Sequence, residues 1–188
     1  MKNIIDLSKY NQNGYSRGKN SIIVLLWWLV QGTLFRFSLH NMYEWRNFLI
    51  RLFGANIGKG VKIRSTAKFT YPWKVSIGNY SWVGDNTQFY SLDRISIGSH
   101  CVISQGSYLC TGTHNTKDPF FGLITKPIII KDGVWVASDV FIYPGVTIYE
   151  MSVIAARSTV INNIPSNEVH AGEPAKYLKN RFEEDELL

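Results

Sequence analysis

The chain has 188 residues, of which 45% are hydrophobic and 18% charged, and it carries a formal charge of +6. That composition suits one globular domain with an appendage and excludes a disordered or collagen-like chain. Four of the 14 acids fall at positions 183–186, so residues 1–181 hold 20 bases against 10 acids, or +10, and a body this basic points to an anionic partner such as phosphate, nucleic acid or a membrane surface.

Residues 1–20 are polar, with too little apolar character for a signal peptide. Ile22–Val30 is an unbroken apolar run of nine residues, too short to span a bilayer. Extending it to Leu39 takes in Gln31, Gly32, Thr33 and Arg36. A helix capped by Asn20 or Ser21 is expected here. It packs on its own chain or a neighbouring subunit, or it lies in a membrane interface. In the second case Trp27 and Trp28 sit at headgroup level, with Arg17, Lys19 and Arg36 near anionic lipid. The two are compatible, because different faces can serve each. A second helix is expected from about Met42 to Phe53. Asn41 and Glu44 resemble a capping box and Gly54 occupies the C′ position. Met42, Trp45, Phe48, Leu49 and Leu52 share one face at helical spacing and read as core.

After Gly54 a six-residue beat replaces the helical period. Ile57, Ile63, Phe69 and Val75 are followed by Ile77, Val83, Phe89 and Ile95, then by Ile97, Ile103 and Leu109. Each block of 18 is followed by a two-residue slip, so Ile-Gly recurs at 57, 77 and 97. The beat resumes without slips at Ile130, Val136, Ile142, Ile148, Ile154 and Val160. A mostly small residue lies four positions after these, as at Ser81, Thr87, Cys101 and Ser107. The pattern is a coil of three short faces with large aliphatics inward and small residues near the corners. Stacked at about 4.8 Å, roughly five coils fit. Three parts are expected. Residues 1–54 form a polar arm and helices. Residues 55–165 form the solenoid with one extruded loop at 110–129. Residues 166–188 form a C-terminal segment with a short helix.

The beat breaks once, between Leu109 and Ile130, over a stretch with Gly112, Pro119, Gly122 and Pro127. Loops on rigid scaffolds concentrate function, and His114 stands at the root of this one in "TGTHN". Imidazole titrates near pH 6.5 in water and suits proton transfer at neutral pH. His40, His100 and His170 read as structural or surface groups. The four histidines offer no zinc-ligand spacing, so no metal is expected. Cys101 and Cys110 make no disulfide scaffold and point to a reducing compartment.

The tandem aliphatic-Gly hexapeptides resemble the hexapeptide-repeat acyltransferases. The longer segments "WWLVQGTLF", "NFLIRLFGANIGKGVKIR", "TYPWKVSIGNYSWVGD", "SYLCTGTHN" and "GVWVASDVFIYPGVTI" are similar to the colanic acid biosynthesis O-acetyltransferases. The resemblance implies an all-β fold, a left-handed parallel β-helix, working as a homotrimer with sites between subunits. It implies acetyl transfer from acetyl-CoA to a sugar hydroxyl of an exopolysaccharide precursor by direct attack. It implies a sugar or lipid-linked oligosaccharide acceptor at the cytoplasmic membrane face, which fits the basic body and the Trp-rich helix as a peripheral membrane contact of a cytoplasmic chain. An N-acyltransferase on an amino sugar and a non-catalytic scaffold are the rival readings. No nucleic-acid motif is present.

Residue by residue, Thr113-His114-Asn115 matches the family's catalytic histidine segment, so the resemblance makes His114 the general base and puts Asn115 beside the substrate. Asn86 matches an acceptor-contacting position and equally suits a solenoid corner. Asp93 reads as a turn former or an acceptor-side group that orients His114. Trp135, Ser138 and Ala156 match positions along the pantetheine arm. Lys176 and Lys179 match cations near the nucleotide phosphates, and a solvated segment is the plainer alternative. Arg157 replaces a common family glycine and either adds a donor-site cation or narrows the channel.

Overall fold

The structure, a computed structural model, describes residues 5–12 and 14–183; Glu184, Asp185 and Glu186 of the acidic run lie outside them. The six-residue beat becomes a parallel solenoid of three sheets. Ile57, Ile77, Ile97, Ile130 and Ile148 pair rung on rung in the first sheet. Ile63, Val83, Ile103, Val136 and Ile154 do so in the second. Phe69, Phe89, Leu109, Ile142 and Val160 do so in the third. All fifteen are buried in one continuous core, where a fully buried aliphatic side chain stabilises by about 1.5–3 kcal/mol. The small corner residues are buried because successive coils nearly touch there. A Cβ on Gly78 would stand 2.5 Å from the backbone of Gly98 and Ser99. Hydroxyls serve at these corners because they satisfy the next coil: Ser81 Oγ donates to Gly98 O at 2.8 Å and Ser107 Oγ to Ala137 O at 2.9 Å.

The two-residue slips have a single location. Asn56 pairs with Ser76 and Ser76 with Ser96, 20 positions apart, whereas Ile129 pairs with Thr147, 18 apart. The extra residues of the early coils all lie at the corner from the third sheet to the first, at Tyr71–Lys74 and Ser91–Arg94. The 110–129 excursion leaves from the same corner one coil later. Hydroxyls tie these layers: Ser91 Oγ donates to Tyr71 O at 3.0 Å and Thr111 Oγ1 to Tyr90 O at 2.6 Å.

The first coil would present an open sheet edge, and two helices cover it. Helix α1 spans Ser21–Val30, with Asn20 Oδ1 accepting the Ile23 N–H at 3.0 Å, and continues in wider turns over Gln31–Phe35. Helix α2 spans Tyr43–Leu52 and ends in a Schellman pattern, Gly54 N–H to Arg51 O and Ala55 N–H to Ile50 O, with Gly54 at φ 96°. Side chains of both bond the first coil. Trp27 Nε1 donates to Phe69 O at 2.8 Å, the Phe69 N–H to Gln31 Oε1 at 2.6 Å, and Asn47 Nδ2 to Val61 O at 2.8 Å. Arg46, fully buried, donates to Ile63 O, Ser38 Oγ, Leu39 O and His40 O within 2.8 Å. No carboxylate pairs with it among the described residues, and burial lowers its pKa from the ordinary guanidinium value.

Three expectations need correction. The start of α2 has no capping box, since Met42 precedes it without a side-chain cap bond. Of the expected apolar face only Leu49 is buried: Met42, Trp45, Phe48 and Leu52 are exposed, and Arg46, Asn47 and Ile50 are buried beside Leu49. The cause is the edge beneath, whose carbonyls require donors that an all-apolar face lacks. The short C-terminal helix is a hairpin. Glu168–Ala171 adds a sixth parallel rung to the second sheet, so stacking runs past residue 165, and Lys176–Asn180 pairs antiparallel with it. That last strand covers the edge of Glu168–Ala171 and is itself the exposed outer strand of the second sheet. No helix among the described residues is long and apolar enough to cross a membrane.

Replacing Arg46 by Met should cost about 3 kcal/mol, because several buried carbonyls lose their donor. Phe48→Ala, on the outward face, should stay within about 0.5 kcal/mol. Urea unfolding midpoints compare the two, and a costlier Phe48→Ala would contradict the orientation of α2.

Candidate active site

The chain leaves the third corner as a two-stranded hairpin in which Gly112 pairs with Thr125 and His114 with Leu123. It passes tightly over the slip below, since a Cβ on Gly112 would stand 2.7 Å from Leu92 Cδ1. The hairpin tip is held by its own polar groups. Asp118 accepts the Phe120 and Gly122 N–H groups at 2.9 Å each, and the Asn115 N–H donates to Gly122 O at 2.9 Å. These bonds set Phe121 at φ 54°, a left-handed conformation uncommon for a bulky residue, and turn its carbonyl toward His114.

His114 Nδ1 lies 2.8 Å from Phe121 O. A carbonyl only accepts, so Nδ1 carries a proton, and in the neutral ring Nε2 then keeps its lone pair. The ring stacks on Phe121, with centroids 4.2 Å apart and planes at 12°, and meets the Tyr10 ring at 5.9 Å. The polar arm folds across the hairpin: the Asp6 N–H donates to Pro119 O at 2.7 Å and Lys9 Nζ stands over the Phe120 ring. The result is a half-buried imidazole held in one orientation, with no hydrogen bond to Nε2 among the described residues.

The acceptor-side candidates lie apart from this ring. Asn115 Oδ1 accepts the Lys117 N–H at 3.1 Å within the hairpin tip. Asp93 Oδ1 accepts the Arg94 N–H at 2.7 Å, and the Asp93 N–H donates to Thr111 Oγ1 at 2.8 Å, which is the turn-forming role. Asn86 is exposed at the corner from the second sheet to the third, at φ 55°, with its N–H donated to Thr66 Oγ1 at 2.8 Å. Its neighbour Asp85 fastens that corner. Burial alone would raise the Asp85 carboxyl, but hydrogen bonds from Thr66 and Arg64 hold it below its usual value.

The donor-side candidates gather higher on that second corner. Ser138 O accepts the Arg157 N–H at 2.9 Å, so Ser138, Ala156 and Arg157 form adjacent layers. Arg157 sits at φ 58°, the conformation that a glycine there adopts without cost. Trp135 is exposed on the second sheet and donates Nε1 to Ser104 Oγ at 3.1 Å. Lys176 and Lys179 are exposed on the final strand, where Lys176 pairs with Ala171 and Lys179 with Val169. No hydrogen bond or ring contact joins His114 to any of these residues among those described; within one chain they leave the solenoid at different corners. Of the other histidines, His100 stacks on Tyr80 and the buried His170 meets Glu168 at 2.6 Å. No group of three or more His, Cys, Asp or Glu able to hold a metal occurs among the described residues.

The partner that orients His114 is a backbone carbonyl, which a search for acidic side chains such as Asp93 passes over. The nearest signal is the Asp118-Pro119…Gly122 spacing, an Asp set to cap a tight turn.

No family model matches the chain. It is 49% identical over 178 residues to an Escherichia coli (strain K12) protein named as a colanic acid biosynthesis acetyltransferase, a match covering 95% of this chain and 98% of the relative. A galactoside acetyltransferase structure in complex with coenzyme A superposes with a TM-score of 0.78 at 27% identity, covering 87% of this chain and 83% of that one. A hexapeptide-repeat acetyltransferase from Vibrio cholerae O1 biovar eltor, complexed with acetyl-coenzyme A, shares the fold with a TM-score of 0.81 at 24% identity over 94% and 96% of the two chains.

The thiols are poor nucleophiles. Burial pushes Cys101 up to about 11 and raises Cys110 above its ordinary value, which leaves little thiolate near neutral pH. Alkylation of the native chain by iodoacetamide at neutral pH should run about tenfold or more slower than in urea. Equal rates would contradict the buried placement.

Proposed function

The chain belongs to the colanic acid biosynthesis acetyltransferases, which are hexapeptide-repeat enzymes, and from that premise we propose that it moves an acetyl group from acetyl-CoA to a sugar hydroxyl of an exopolysaccharide precursor. The observation that carries the reading is the Nδ1–H bond to the Phe121 carbonyl, which leaves Nε2 of His114 as the base. In this mechanism Nε2 takes the hydroxyl proton as the sugar oxygen bonds to the acetyl carbonyl carbon. The carbon–sulfur bond then breaks, and the imidazolium returns its proton to the departing sulfur. The products are the acetyl ester and free coenzyme A thiol.

The co-substrate supplies an activated acyl group and a diphosphate that calls for cations. Arg157, Lys176 and Lys179 are exposed and would serve that need. Backbone groups at Ser138 and Ala156 face the same corner, where pantetheine amides would find partners, and Trp135 lies on the sheet beside it. We place the reaction between copies of a homotrimer, with the hairpin of one copy reaching the second corner of the next. Asn86 and Asn115 are assigned to the acceptor side, and Asp93 keeps its turn-forming role. The acceptor class is a sugar or lipid-linked oligosaccharide at the cytoplasmic membrane face.

The test is release of coenzyme A thiol from acetyl-CoA with a panel of sugars, amino sugars and lipid-linked oligosaccharides. Wild type should show hydroxyl-dependent release, and His114→Ala should lose about 100-fold or more. Cys110→Ser should keep near-normal turnover, since attack is direct. Equal release by wild type and His114→Ala would remove His114 from the mechanism, and release only with amino sugars would reassign the chain to N-acyl transfer. Asp118→Ala should lower kcat by about 100-fold through a misplaced Phe121 carbonyl, with the KM for acetyl-CoA unchanged.

A further inference from the structure

The end plate formed by α1 and α2 is apolar where it should be wet. Helix α1 is hydrophobic all round, a pattern that belongs to a helix enclosed on every side. Only the Val24, Trp27 and Phe35 stripe is buried on the solenoid. Ile22, Leu25 and Leu29 lie on the opposite face and are 61–75% exposed. Phe37, just past the helix, is 80% exposed. On α2 the turned-out face carries Trp45, Phe48 and Leu52. The two faces join, because Trp45 Nε1 donates to Leu34 O at 3.2 Å and the Trp45 ring stacks on Phe48. A patch of this extent marks an interaction site.

Charge identifies the occupant. Between residues 17 and 53 stand Arg17, Lys19, Arg36, Arg46 and Arg51 against one acid, Glu44. All but Arg46 are exposed. Arg51 pairs with Glu44 and bonds the Ile57 and Gly58 carbonyls, so a second copy seated on this face would set Arg17, Lys19 and Arg36 against their own kind, whereas an anionic lipid surface complements them. Beside the patch, a cleft of about 320 Å³ is lined by Trp28, Gln31, Arg36, Thr66 and Lys68. Arg36 and Lys68 form no ion pair among the described residues. An indole flanked by cations is the arrangement of an interfacial anchor.

We propose that the outward face of α1 and α2 docks on an anionic phospholipid bilayer as a monotopic anchor, with Arg36 and Lys68 taking a headgroup phosphate. The solenoid then stands away from the bilayer on its first coil. The proposal does not depend on the chemistry at His114.

The test is co-flotation of the full chain with vesicles of phosphatidylglycerol and phosphatidylethanolamine, compared with phosphatidylcholine alone. Native chain should float with the anionic vesicles and be released by high salt. Arg36→Ala should bind them about five-fold more weakly. The Leu25→Glu/Leu29→Glu double variant should lose binding while its unfolding transition and its mass by light scattering stay unchanged. Vesicles with brominated acyl chains should quench the native tryptophan fluorescence, a readout that needs no variant. Absence of both flotation and quenching at low salt overturns the proposal. So does a fall in mass in the double variant, which would make a second copy the occupant.

Discussion

Each coil of a parallel solenoid shares its backbone N–H and C=O groups with the coils on either side, so the first and last coils each keep one unpaired row. Buried or sticky unpaired rows are costly, and this chain treats the two ends differently. At the first coil it uses side chains: the Trp27 indole, Gln31 and Asn47 amides and the Arg46 guanidinium reach groups of Val61, Ile63 and Phe69. At the last coil it uses backbone, laying Lys176–Asn180 antiparallel on Glu168–Ala171. The helix orientation follows from the first of these solutions. Polar residues of α2 turn inward to the edge, and its large apolar residues are left on the outer surface.

The same ladder accounts for the place of the hairpin. Five residues repeating in register through each sheet leave no room for an insertion inside a face, since a shift of one residue would turn inward side chains outward. Insertions collect at a corner. Here three successive coils insert at the third corner, twice by two residues and once by a whole hairpin, and Thr111 and Ser91 bind these layers through their hydroxyls. His114 is therefore borne on a stacked support that begins two coils below it.

What could be read from the sequence was what side-chain volume dictates. The aliphatic beat at Ile57, Ile63 and Phe69 specified three sheets and their register, and its interruption located the hairpin and His114. What escaped was set by backbone demand. Trp45, Phe48 and Leu52 have helical spacing and the character of core, yet nothing in that pattern reveals that the surface beneath them is a row of carbonyls. The segment "PAKYLKNR" has helix-forming residues, but an open edge beside it favours a strand. In the candidate site the histidine was legible from its place. Its orienting partner was not, because the Phe121 carbonyl acts through a conformation imposed by Asp118 and leaves no side-chain signature.

Geometry also limits what one chain can do. Proton transfer needs the base and the reacting hydroxyl within about 3 Å. The His114 hairpin and the Ser138–Arg157 corner bound opposite ends of the third sheet, whose width at about 3.3 Å per residue is roughly 15 Å. In the proposed homotrimer a site that uses both takes them from two copies. Because the two surfaces differ, that contact is heterologous, and it closes without loose ends only when the copies form a ring. In a ring of solenoids standing side by side, the first coils all face the same way. The apolar plates of α1 and α2 then lie in one plane, and a docked assembly would meet a flat surface several times over, which multiplies a weak single contact.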